Sequence, residues 1–93
     1  MREVRLSETA QRTVNSFNRT HAAQFYELTS ILADFFLPLQ RAGLLGSSRF
    51  YGIDGFRYYD NRFPFVLFLE VVSDSVTEAE RILIRTITPV TLS

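Results

Sequence analysis

The chain has 93 residues, enough for one small domain with a modest core, and 46% of them are hydrophobic, including nine Phe and four Tyr. It holds no cysteine, which excludes disulfides, thiolate catalysis and Cys-based zinc sites. Ten acidic residues balance ten basic ones. Every basic residue is Arg, which removes Schiff-base lysines and the Walker A lysine, and the neutral sum argues against a simple nucleic-acid binder.

No signal peptide is expected at the start, because Arg2, Glu3 and Arg5 precede any apolar run. The apolar runs are too short for a membrane span, so a cytoplasmic protein without membrane contact is expected. Val4 and Leu6 alternate with Arg5, which suits a short strand with one buried face. Ser7 is a natural N-cap and Glu8 favours the first helical turn. Ala10, Val14 and Phe17 then repeat at helical spacing, predicting a first helix from Glu8 to Asn18. A second helix follows the Asn18-Arg19-Thr20 break. Ala22, Phe25, Tyr26, Leu28, Ile31, Leu32, Phe35, Phe36 and Leu39 are expected on its one broad apolar face. Pro38 must end or kink it, and Gly43 and Gly46 mark the exit loop.

The remainder reads as strands. Arg49 to Ile53 is extended but broken by Gly52, and Phe56 to Tyr59 forms a short strand. Asp60-Asn61 makes a tight turn, and Phe63 to Val72 is a long strand, apolar on both faces except for Glu70. Ser73 to Glu78 turns the chain into a last strand, Arg81 to Thr88. Residues 1–93 thus form a single α+β domain of order β-α-α-β-β-β, a helical hairpin packed on one face of a small, mainly antiparallel sheet.

Register follows from burial. Pairing Tyr59 with Arg62, and Glu70 with Arg81, brings Phe56, Tyr58, Leu67, Leu69, Ile82 and Ile84 to the helix-facing side. The opposite face then displays Arg57, Tyr59, Val66, Phe68, Glu70, Arg81, Leu83, Arg85 and Ile87. Guanidinium groups clamp phosphates, and a tuned Tyr or Glu moves protons. Arg57, Tyr59, Glu70, Arg81 and Arg85 are therefore the candidate catalytic set of a metal-independent ribonuclease. The plainer reading makes Glu70–Arg81 a cross-strand ion pair. Val66, Phe68 and Val72 are apolar where solvent is expected, which marks a partner-binding surface or a contact covered by a twin subunit or the chain's own tail. The lone His21 without Cys or a second His gives no metal site, and no cofactor is implied.

Three segments carry a family resemblance: Val4-Arg5-Leu6-Ser7-Glu8-Thr9-Ala10, Arg62-Phe63-Pro64-Phe65-Val66-Leu67-Phe68-Leu69-Glu70-Val71, and Arg81-Ile82-Leu83-Ile84-Arg85. With the order of elements, they resemble the opening, central strand and last strand of the RelE/ParE superfamily of bacterial toxins, the plasmid-stabilisation type included. The resemblance implies the toxin half of a toxin–antitoxin system, neutralised by an antitoxin protein. Some members cleave mRNA on the ribosome and others poison DNA gyrase by binding. Here Arg57 and Arg85 match part of the nuclease members' basic set. The segment Thr86 to Ser93 has no Arg, Lys, His or Tyr, and Pro64 stands where a basic or polar residue is common. Action by binding is therefore expected, with an mRNA endoribonuclease or a non-toxic homo-oligomeric interaction domain as the alternatives.

Overall fold

A computed structural model describes residues 2–73, 76 and 79–90. It has two helices on one face of a five-stranded mixed sheet, an α+β fold. In chain order the elements are β1 (Glu3–Leu6), α1 (Glu8–Asn15), α2 (Arg19–Arg41), β2 (Leu45–Phe50), β3 (Ile53–Tyr59), β4 (Phe65–Ser73) and β5 (Glu80–Pro89). The sheet order is β1-β5-β4-β3-β2. Only β1 and β5 run parallel; the other three pairings are antiparallel.

The helix starts follow side-chain capping. Ser7 Oγ accepts the Ala10 amide at 3.1 Å and opens α1. Asn18 ends the first helix early, because its carboxamide accepts the His21 amide at 2.8 Å as the N-cap of α2. Pro38 does not terminate α2. It lacks an amide and crowds the carbonyl four residues back, and the distortion falls on Phe35 (φ −123°, ψ 22°), after which the helix runs on to Arg41. Gly43, at φ +74°, then lets the amides of Gly43 and Leu44 reach back to the carbonyls of Gln40 and Leu39.

The core lies between this hairpin and the sheet. Ala10, Val14, Phe25, Leu28, Leu32 and Phe36 pack on Tyr58, Phe65, Leu67, Leu69, Ile82 and Ile84. The expected face of α2 was too broad: Tyr26 and Phe35 stand mostly in solvent.

The sheet departs from expectation in three places. First, Gly46 lies inside a strand, β2, and not in a loop. The reversal comes later, at Tyr51-Gly52 between the paired Phe50 and Ile53, with φ of +49° and +78°. Two left-handed residues in a two-residue loop are the turn that matches strand twist, and Asn-Gly is its preferred sequence. Tyr51 holds a conformation costing a non-glycine residue about 1–2 kcal/mol. Tyr51→Asn is therefore expected to raise stability by about 1 kcal/mol, read as a higher urea midpoint with unchanged slope.

Second, Tyr59 faces Val66, not Arg62. Pro64 has no amide to give to a ladder, so β4 begins at Phe65 and the connection widens.

Third, Glu70 faces Leu83, while Arg81 faces Val72. The slip is an even number of residues, so Ile82 and Ile84 stay beneath the helices as burial demands. A bulge between Phe68 and Leu69 then leaves Arg85 as an extra residue between Ile84 and Thr86. Beyond it the alternation reverses. Ile87 enters the core at 6% exposure, and Thr86 and Thr88 take its expected place on the outer face.

Candidate functional site

The candidate site is the sheet face away from the helices. Its shape comes from the β2–β3 hairpin. β3 is laddered to β4 only from Phe56 to Tyr59, whereas Ile53, Asp54 and Gly55 pair with β2. In a flat sheet, β2 and β4 lie about 10 Å apart. Yet the Phe50 ring of β2 sits 5.2 Å from the Phe68 ring of β4, centroid to centroid. The far end of the hairpin therefore bends out of the plane of the sheet and over its outer face. The crossing is tight: a Cβ at Gly55 would lie 2.4 Å from the Leu69 carbonyl oxygen and 3.0 Å from Phe68 Cζ. Glycine is needed there for close approach, not for a special φ.

This curl answers what covers the apolar outer face. Phe68 is only 6% exposed. Where the sequence suggested a partner, a twin subunit or the chain's own tail over Phe68, the described residues place the β2–β3 hairpin on it, through Phe50 and Gly55. Val66 is half-buried beside it, and Val72 stays exposed at the far end of β4.

Phe50 also divides the face. On one side, a groove of about 250 Å³ holds Arg57 with Ser48, Val66, Phe68 and Thr88. On the other, a cleft of about 410 Å³ holds Arg85 with Ser7, Thr9, Tyr51 and Ile53. Phe50 and Thr86 line both.

The candidate catalytic residues are spread along this face. Tyr59 is level with Val66, Arg57 with Phe68, and Arg81 with Val72. From Val66 to Val72 is about 20 Å of strand. Among the described contacts of this set, Glu70 and Arg85 meet. Arg85 Nη2 and Nε both donate to Glu70 Oε1, at 2.5 and 3.1 Å. The expected Glu70–Arg81 pair is thus replaced by Glu70–Arg85, because the bulge turns Arg85 toward β4. The bulge is itself pinned to the helical layer. Ser7 Oγ donates to the Arg85 carbonyl at 2.7 Å, and the Ser7 amide donates to the Ile84 carbonyl at 2.9 Å.

A second polar cluster occupies the β3–β4 connection, which the sequence suggested only as a turn. Asp60 Oδ1 accepts the Arg62 amide at 3.0 Å, and Arg62 Nη2 donates to Asp60 Oδ2 at 2.6 Å. The buried Tyr58 hydroxyl donates to Asp60 Oδ2 at a long 3.4 Å. These groups border a cleft of about 440 Å³ that Leu39, Leu44 and Tyr59 complete. The Arg62 hydrogen bonds hold the Asp60 carboxyl below the usual carboxylate range. Burial, with the Asp60 charge beside it, pushes the Tyr58 phenol up.

Asp60 therefore contributes stability above the ordinary aspartate range, and that contribution is lost as pH falls through its lowered value. Tyr58 works at the other end, its contribution present below pH 10 and lost as pH rises through its raised value. Asp60→Asn is expected to be less stable than the native chain at pH 6, with the gap closing as pH falls below the ordinary aspartate range and through the lowered Asp60 value. Urea midpoints across that range check this; a constant gap would refute it.

His21 is exposed, with Phe17 and Phe65 at its ring edges. Among the described residues no group of His, Asp and Glu is arranged to hold a metal. No helix among them is long and apolar enough to cross a membrane. Neither a protein-family model, nor a curated protein, nor a solved structure matches the chain.

Proposed function

We propose that this chain is the toxin component, or a toxin-like module, of a bacterial toxin–antitoxin system of the RelE/ParE kind. It acts in the cytoplasm by binding a macromolecular target, DNA gyrase or the ribosome, and is neutralised by an antitoxin. The short strand leading through a capped turn into a helical hairpin, followed by antiparallel strands, supports the reading. The observation that carries binding over cleavage is the position of Phe50. It stands between Arg57 and Arg85, whose guanidinium is already engaged by Glu70. With the hairpin closed the phosphate clamps face different clefts, and Tyr59 is remote from Glu70 along the strands, so the set does not surround one scissile bond.

The test is expression in bacteria with and without the neighbouring reading frame. Growth arrest by the chain alone, relieved by the neighbour, is expected. Unaffected growth in both cases would overturn the toxin reading. RNA cleavage by the purified chain, abolished by Arg85→Ala at unchanged stability, would favour the endoribonuclease instead. Light scattering that finds a dimer of the chain alone would favour the interaction domain.

A further inference from the structure

The β2–β3 hairpin is fastened to the face it covers at few points. Its ladder is internal: Ser47 with Phe56, Ser48 with Gly55, Arg49 with Asp54, Phe50 with Ile53. No described ladder bond joins Ile53–Gly55 to β4. The tip contributes little burial, since Tyr51 is 91% exposed and its ring rests on Phe50 at 4.4 Å. The Arg49–Asp54 pair lies within the hairpin and in solvent. What reaches across to the sheet is the Phe50 ring on Phe68, with half-buried Ile53 beside Arg85 and Thr86 and the Gly55 backbone against Leu69 at its base.

Lifting such a hairpin breaks none of its own hydrogen bonds and leaves the helix-facing core in place. The lifted state differs in one respect. The Arg57 groove and the Arg85 cleft share Phe50 as a wall, so its departure merges them. The result is a continuous apolar strip, Val66 and Phe68, with an arginine on each side.

We propose that the segment from Ser47 to Gly55 is a strap that closes over the outer face, latched by Phe50 on Phe68, and that it opens as a unit to join the Arg57 and Arg85 clefts into one surface. It opens where β3 parts from β4, at Gly55. This holds whether or not the chain is a toxin.

The chain has no cysteine, so a pair of spin labels can be placed cleanly on Tyr51→Cys at the strap tip and Arg12→Cys on the exposed face of α1. The short distance of the closed form is expected to dominate in the otherwise native chain. Phe50→Ala is expected to raise the population of longer distances about tenfold or more, and Phe50→Leu to give an intermediate shift. Circular dichroism and urea unfolding report whether the rest of the chain stays folded. A folded Phe50→Ala chain that keeps the single short distance overturns the strap. So does Phe50→Ala unfolding the whole molecule, because Phe50 would then be part of the core and not a latch.

Discussion

Leu67→Ala is expected to lower the unfolding free energy by about 2–5 kcal/mol. Leu67 has no exposed surface and sits between Tyr58 and Ile87 on neighbouring strands, both buried. Truncation there removes apolar contacts and leaves a hole that close-packed neighbours fill only in part. Glu70→Ala, three residues along the same strand but on the other face, is expected to cost about 1 kcal/mol or less. Its partner Arg85 keeps 36% of its side chain in solvent, so water can replace the lost carboxylate. Urea unfolding of both variants gives the comparison. The reverse ranking would put Glu70 beneath the helices and exchange the two faces of the sheet.

Gly55→Ala is the second large effect, expected at about 1–3 kcal/mol or more. The obstacle is a backbone carbonyl, that of Leu69, 2.4 Å from the added Cβ, and a carbonyl in a ladder cannot swing aside as a side chain does. Relief requires the hairpin to back away, so the Phe50–Phe68 ring contact should weaken while the core on the other face persists. A nuclear Overhauser contact between the two rings, present in the native chain and lost in the variant, is the direct readout. Gly46→Ala is the control. It is also a strand glycine, but a Cβ there meets nothing within 4 Å, so a change within about 0.5 kcal/mol is expected. Equal effects at the two glycines would mean that the hairpin does not cross over β4.

The two glycines show where sequence patterns stop. Both are single glycines beside small or polar residues, Gly46 before Ser47-Ser48 and Gly55 after Asp54, a pattern that reads as loop in either place. Their difference lies wholly in what crosses each backbone. The outer face has the same character. Phe50 contributes its ring to that face, but its place over Phe68 depends on how far β3 stays paired with β4. No local pattern records the residue at which two strands part.

The architecture and the inner face of the sheet are legible in local patterns. Ser7 announces α1 through its side-chain cap, the helical spacing from Phe25 to Phe36 declares the packing face of α2, and the polar positions Arg57, Glu70 and Arg81 mark the side of the sheet turned away from them. These signals are local, and burial rejects any odd slip of register because it would expose the whole core. The outer face takes its form from how the strands meet in three dimensions. An even slip keeps the same residues buried, so alternation cannot choose between Arg81 and Leu83 opposite Glu70. A bulge changes alternation without a signature of its own, which moved Ile87 inward and turned Arg85 to Glu70. Periodicity tells a side chain which way to point. Which cation meets which anion, and which ring stands between two arginines, follows from distances between strands that the chain brings together only when it folds.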